Sequence, residues 1–432
     1  MPIRIEPAEL KGQIKVPPSK SISHRAIICA GLAQGLSRIE NIVMSQDILA
    51  TVEGMTALGA NIRVVEEAAI PGAGGDQGQI LEIKGIGYPQ TAKKIIDCRE
   101  SGSTLRFLLP LASLTGQAVT FEGKGRLKER PLAEYYRIFD EQGVKYANNR
   151  GFLPLTVQGS LYPGEFSLRG DVSSQFISGL LFALPLLDGD SRLHITTEVQ
   201  SEGYIHLTLD VLHKFGIEVE QTSPQEFRIK GNQRYKAASY KVEGDYSQAA
   251  FWIVAAVIGG RIDCLDLRPQ SLQADRAIVE IVKEMGGDIR FKQDILSARR
   301  TSTYGTTIDA SQCPDLVPVL AVLASLSQGT TRIVNAGRLR LKESDRLKAI
   351  ASELNKLGAQ VQELEEGLEI EGVESLKGGV EVDSWNDHRI AMALAVASLR
   401  CQQAVTLTGF EAVSKSYPNF WDDFKMLGGR MQ

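Results

Sequence analysis

The chain has 432 residues, 43% apolar and 23% charged, proportions of an ordinary globular protein with room for two or three domains. Its 48 basic and 52 acidic residues give a net charge of −4, which argues against a general nucleic-acid binder and makes any basic cluster local. Five scattered cysteines without a CxxC pair argue against a disulfide framework or a metal site, and no apolar run is long enough for a bilayer. With no signal pattern in "MPIRIEPAEL", the expectation is a cytoplasmic protein.

Two strand-like pieces open the chain, "IRIEP" and "GQIKVPP". The polar cluster "SKSISHR" then introduces the apolar helix "RAIICAGLAQG", followed by an amphipathic helix that ends in "TALGANIRV". "PGAGGDQGQ" from Pro71 reads as a hairpin loop, because no helix follows it. The same pair of helices recurs five more times. Apolar helices start after "ESGSTLR", "VSSQ", "DYSQ", "CPD" and "WNDHR", and amphipathic ones end in "DEQGVKYA", "HKFGIEVE", "KEMGGDIRF", "NKLGAQVQ" and "KMLGGRMQ". The closing glycines, Gly59, Gly143, Gly216, Gly286, Gly358 and Gly428, are 70 to 84 residues apart. Glycine just past a helix end enters the left-handed conformation cheaply, and six at this spacing mark a repeat.

Helices apolar nearly all round should be buried, with the amphipathic ones covering sheets outside. The sixth unit stops at Gln432 without room for its last strands, so the two N-terminal strands are expected to complete it. Three units per domain give one domain at 17–240 and another made of 1–16 plus 241–432, with a crossing at Pro17–Pro18. A linear array would instead need a polar capping repeat at each end, and none is visible.

The starts of the apolar helices carry the chemistry. Ser21, Ser103, Asp245 and Asn386 read as N-caps. Capping does not account for Lys20, Arg25, Arg106 and Arg389, since cations at a helix start oppose the dipole unless an anion binds there. Charged turns occupy equivalent places in "GKGRLKERP", "GRLRLKESDRLK" and "VSKSYP", and should face one cleft. The candidates are Lys20, Arg25, Arg126, Lys342, Arg346, Arg389 and Lys415, with Asp315 and Glu343 as the acids among them. Seven cations suit two small molecules that are phosphorylated and carboxylated, and no GxxxxGK[ST] loop suggests ATP instead.

Taken in order, "PPSKSISHR", "ESGSTLRF", "GRLKERP", "VSSQF", "LKESDRL", "NDHRIAM" and "SKSYPNF" closely resemble the enolpyruvyl transferase family, in its branch acting on shikimate 3-phosphate. The resemblance covers essentially the whole chain. It implies an α/β fold, a two-domain inside-out barrel of six βαβαββ units, three per domain, with buried helices whose N-termini face the cleft. The reaction implied joins phosphoenolpyruvate to shikimate 3-phosphate through a tetrahedral ketal and releases phosphate. No metal, organic cofactor, nucleic acid or membrane is implied, and the expected form is a monomer.

Matched motif by motif, the resemblance implies that Lys20, Ser21, Arg25, Ser173, Ser174, Gln175, Ser201, Asp315 and Lys342 hold shikimate 3-phosphate. Lys20, Gly102, Arg126, Gln175, Arg346, Arg389 and Lys415 would hold phosphoenolpyruvate. The chemistry needs a base for the attacking hydroxyl and an acid for the methylene carbon. Asp315 is the expected base and Glu343 the expected acid, with Lys20 a rival proton carrier. The chain departs from the family pattern at Glu100, Phe107 and Arg338, where relatives often carry Asn, Pro and Asn. A sister enzyme that uses a UDP-linked amino sugar is the alternative; it typically has a loop cysteine, which "GKGRLKERP" lacks. An anion-binding scaffold and an RNA-end cyclase with related repeats are further alternatives, the latter opposed by the charge balance.

Overall fold

The computed structural model describes residues 2–65 and 78–432, so most of the hairpin loop expected from Pro71 lies outside the described residues. The described helices begin with α1 (Lys20–Leu32), α2 (Gln46–Ala57), α3 (Gly102–Ser113), α4 (Ala133–Gln142), α5 (Ser174–Ala183) and α6 (Glu202–Lys214). They continue with α7 (Tyr246–Gly259), α8 (Ile278–Glu284), α9 (Val317–Ser325), α10 (Arg346–Lys356), α11 (His388–Ser398) and α12 (Phe420–Met426). None is long and apolar enough to cross a membrane.

The two kinds of helix alternate as their sequences require. Every residue of α7, α9 and α11 is buried, matching the Ala, Val, Leu and Ile that dominate them beyond their first turns. Helix α10 instead buries Leu347, Ile350 and Leu354, spaced three and four apart, and leaves Lys348 exposed. Each of α2, α4, α6, α8, α10 and α12 ends at one of the six repeated glycines, all with positive φ between 69° and 106°. The residue after each glycine donates back to the carbonyl five positions earlier, as Ala60 does to Met55 and Val144 to Phe139. This hydrogen bond needs the left-handed turn, so the glycine spacing in the sequence is a spacing of helix ends.

The described strands form six four-stranded sheets of one pattern: a parallel pair at one edge, then two antiparallel pairings. In the sheet around α5, Glu165–Leu168 runs parallel to Ser191–Ile195, which pairs antiparallel with Glu226–Ile229, and that with Val219–Ser223. The first N-terminal strand, Ile3–Glu6, completes the last sheet beside Val405–Thr408 and Arg430–Met431. The second does not. Lys11–Lys15 runs parallel to Arg261–Leu265, in the sheet that follows α7. Pro7 lies between the two strands, cannot donate to a ladder, and ends the first. Reciprocally, Ser239–Lys241, which leads into α7, pairs with Gln34–Ile42 in the sheet that follows α1. The strands ahead of α1 and α7 are therefore exchanged.

The described residues divide into two compact units, one from the N-terminus to Ser19 together with Glu243–Gln432, the other made of the described residues between Lys20 and Val242. The divisions fall two or three residues beyond the expected 16/17 and 240/241, because Ser19 N donates to Glu243 O and Asp245 N to Pro17 O, each at 2.8 Å. Each unit has its own core, one around Trp252, Leu320 and Ile390 and the other around Ile27, Leu108 and Phe182.

Candidate active site

In the unit from Lys20 to Val242, polar groups gather at the starts of the buried helices. Helix α1 begins at Lys20, so Ser21 lies inside its first turn and is not the N-cap expected. Lys20 Nζ reaches Asp47 Oδ2 at 2.7 Å, in the first turn of α2. Arg25 is buried and almost saturated: Nε donates to Thr208 Oγ1 at 2.8 Å, Nη1 to Ser21 O at 2.7 Å, and Nη2 to Tyr204 O at 2.8 Å and Ser178 Oγ at 3.4 Å. Its guanidinium lies 5.1 Å from the centre of the Phe107 ring. None of these partners is charged. Burial lowers its pKa to about 10, so it stays cationic at neutral pH. His24 joins Thr51, 2.7 Å away, in a buried chain with Thr104 and Ser101, and burial pushes its pKa well below the usual value. A neutral, enclosed histidine is structural.

Gly102 opens α3, capped by Ser101 and not by Ser103, since Ser101 Oγ accepts from Thr104 N. A Cβ on Gly102 would lie 2.5 Å from Arg130 Nη1, 3.1 Å from Arg106 Nη1 and 3.4 Å from Gln175 Oε1. Two guanidinium groups close on the backbone there, so a side chain at this position would push the end of Arg130 aside. Arg106 donates to Gln175 Oε1 at 2.8 Å, and Gln175 Nε2 donates to Ser103 Oγ at 3.0 Å. Ser173 caps α5 at Gln175 N, Ser174 is buried, and Ser201 stands ahead of α6 in the left-handed region with φ 57°. Arg126 is exposed on the 3-10 segment Gly125–Glu129, where Glu100 packs against Gly125.

In the other unit the sequence candidates meet around one acid. Asp315 Oδ1 accepts from Arg346 Nη1 at 2.9 Å and Oδ2 from Arg389 Nη2 at 3.0 Å, while Lys342 Nζ stands 3.7 Å from Oδ1. Arg346, almost wholly buried, also donates through Nη2 to Glu343 at 2.7 Å and through Nε to Asp387 at 2.8 Å. Burial acts to raise the pKa of Asp315, but Arg389, Lys342 and Arg346 together hold it well below the usual carboxylate range. Burial lowers Lys342 to about 8 against the pull of Asp315. Asp387, not Asn386, caps α11, accepting from Arg389 N at 2.9 Å. Asn386 takes φ 53° ahead of it and offers its carbonyl to Lys415 Nζ at 2.6 Å. Asp245 caps α7 as expected.

Sequence reasoning missed the partners. Asp387 sits inside "WNDHR", where an acid at a helix start reads as a cap; it is also the buried carboxylate beneath Arg346. Arg130 ends "GKGRLKER" as one charge among several, and only its approach to Gly102 sets it apart. Asp275, in "LQADRA", carries no motif; it is buried, accepts from Ser247 Oγ, and is pushed up to about 6 by burial and Asp315. Arg338, a departure from the family pattern, donates to Ser311 O at 2.5 Å.

A family model described as EPSP synthase (3-phosphoshikimate 1-carboxyvinyltransferase) matches residues 5–424. The chain belongs to the EPSP synthase family. Among relatives of this family, the 3-phosphoshikimate 1-carboxyvinyltransferase of Clostridium acetobutylicum is 56% identical over 428 residues, 99% of this chain and 97% of that protein. The protein of the same description from Clostridium novyi is 54% identical over 427 residues, again 99% and 97%. The EPSP synthase structure from Acinetobacter baumannii aligns with TM-score 0.80 at 25% identity, over 100% of this chain and 99% of that one. The enolpyruvyl transferase NikO from Streptomyces tendae shares the fold, with TM-score 0.79 at 18% identity over 100% and 98%.

Proposed function

We propose that this member of the EPSP synthase family transfers the carboxyvinyl group of phosphoenolpyruvate to the 5-hydroxyl of shikimate 3-phosphate and releases phosphate, a step toward the aromatic amino acids. The observation that carries the reading is Asp315: a half-buried carboxylate with a cation at each oxygen stays ionised, the state from which a base must start. Asp315 takes the hydroxyl proton as that oxygen attacks the carbon bearing phosphate, and Glu343 protonates the adjacent methylene to give the tetrahedral ketal. Loss of a methyl proton and cleavage of the carbon–oxygen bond to phosphate then regenerate the vinyl group.

In this reading, Lys20, Ser21, Arg25, Ser173, Ser174, Gln175, Ser201, Asp315 and Lys342 hold shikimate 3-phosphate. Lys20, Gly102, Arg126, Gln175, Arg346, Arg389 and Lys415 hold phosphoenolpyruvate, and Lys20 is the second candidate proton carrier. Cations gathered at the starts of α1 and α3, with no acidic residue in the first turn of either helix, support anion binding, because helix N-termini and guanidinium forks favour the same ligands. Six sheets of one strand pattern support a two-domain inside-out barrel of six repeated units. The 20–242 unit then serves mainly shikimate 3-phosphate, while the other supplies the acids and phosphoenolpyruvate contacts. Five free, buried cysteines accord with work in a reducing cytoplasm, and a monomer is part of the proposal.

The sister reaction on a UDP-linked amino sugar is opposed by Cys98, which is fully enclosed with its thiol pushed well above the usual range by burial. Purified protein mixed with phosphoenolpyruvate and shikimate 3-phosphate should release inorganic phosphate, and with a UDP-linked amino sugar in place of the second it should not. Phosphate release only with the UDP sugar would overturn the assignment, and release with neither would point to a binding scaffold.

A further inference from the structure

Trp385 and Asn386, with φ 54° and 53°, are the one pair of consecutive non-glycine residues in the left-handed region among the described residues. Such backbone persists only where surrounding bonds over-determine it. Here the turn lies against the candidate site. Asn386 O accepts from Lys415 Nζ at 2.6 Å, and the next residue, Asp387, accepts from Arg346 Nε at 2.8 Å and from Arg389 N at 2.9 Å. A different path through residues 385 and 386 would disturb the bonds that hold Lys415 and Arg346 and the start of α11 that carries Arg389.

The turn is held from both sides. On its own strand, Ser384 Oγ accepts from Asn386 N at 3.2 Å and donates to Gly409 O at 2.8 Å, and Asp383 accepts from Trp385 N at 2.5 Å. The remaining anchor comes from α10. Glu353 is buried there, one turn from the helix end, with no part in any motif of the family resemblance. Its Oε1 accepts from Trp385 Nε1 at 2.8 Å and its Oε2 from Asp383 N at 3.0 Å, with Lys356 Nζ within 2.9 Å of both oxygens. A buried carboxylate is costly unless its acceptor sites are filled; one donor that fills these, Trp385 Nε1, belongs to the strained turn, and another, Asp383 N, to the strand that leads into it.

We propose that Glu353 is a positioning residue: from α10 it locks the Trp385–Asn386 turn and thereby sets Lys415 and Arg389 for phosphoenolpyruvate. The inference rests on the proposed reading of Lys415 and Arg389 as phosphoenolpyruvate contacts. Glu353 touches neither substrate and acts through the turn.

The test is steady-state kinetics of the full chain carrying Glu353→Gln, Trp385→Phe or both. Gln turns an NH2 toward donors, whereas Phe removes only the indole N–H. Each single change should raise KM for phosphoenolpyruvate about tenfold, the loss expected when a charge-assisted bond that orients a binding group is removed. KM for shikimate 3-phosphate should stay within about twofold. The double variant should be little worse than either single one, because both act through the same bond. Lys356→Ala, which removes the partly exposed partner and leaves the turn bonded, should change neither constant.

Equal rises in both KM values, or an unchanged KM for phosphoenolpyruvate, would overturn the proposal. If Glu353→Gln does not fold, Trp385→Phe decides by the same criterion. Lys415→Ala run in parallel separates the two layers. If it leaves KM for phosphoenolpyruvate unchanged, the site reading is wrong; if it raises that constant while Trp385→Phe does not, the fault lies with Glu353.

Discussion

In the unit from Lys20 to Val242, Arg25 and Arg106 donate to hydroxyls, backbone carbonyls and one glutamine. In the other unit, Arg346 and Arg389 donate to the carboxylates of Asp315, Glu343 and Asp387. Both arrangements satisfy the guanidinium groups, with different electrical results. Neutral acceptors orient a cation and leave its charge available to an anionic ligand. Carboxylates cancel much of that charge, and the cations in turn keep Asp315 and Asp387 ionised. Around Arg25 the acceptors are neutral, whereas around Arg346 and Arg389 the carboxylates of Asp315 and Asp387 are held ionised.

The largest effect that would test this contrast is Asp315→Asn. Losing the base should lower kcat by about 10²–10⁴ while KM for each substrate changes far less, as measured by phosphate release. A loss confined to KM would make Asp315 a binding group and erase the distinction between the units. Next comes stability. Asp387→Ala leaves Arg346 buried beside one fewer carboxylate and should cost about 3–5 kcal/mol in urea unfolding. Arg25→Met loses hydrogen bonds to neutral groups and should cost less, about 1–3 kcal/mol. The reverse order would show that the charges in the second unit are not the costly ones.

A smaller effect is expected at Gly102, where a Cβ would sit 2.5 Å from Arg130 Nη1. Gly102→Ala should raise KM for phosphoenolpyruvate about tenfold with kcat less affected, since the added methyl would crowd a residue proposed to hold that ligand and push Arg130 aside. Smallest is a pH effect at Lys342, whose pKa is lowered to about 8. The side chain is cationic below that value and neutral above it, so kcat/KM for shikimate 3-phosphate should fall as pH rises through about 8. Lys342→Arg should move that limb upward; an unmoved limb would assign it to another group.

Much of the architecture was legible because it is encoded by neighbours along the chain. The six glycines announced helix ends, since the turn each one makes depends only on the residues beside it. Apolar runs announced the buried helices, and cations at helix starts announced where charged side chains gather. Local ambiguity produced the misplaced caps. "ESGS" offers two serines, and Ser101 wins over Ser103 because α3 starts at Gly102, where the arginines close in. The N-terminal strands were assigned together because both have strand character, and neither sequence encodes which sheet it joins.

By itself the sequence determined the repeat, the two kinds of helix, the set of candidate cations and the family. Tertiary structure alone decided which acid meets which base. Arg346 reaches Asp387 across 41 residues and Arg389 reaches Asp315 across 74, while Glu353 reaches Trp385 from another helix across 32. Periodicity and turn chemistry act over a few residues. The state of a buried charge depends on everything within a few ångströms, whatever its distance along the chain.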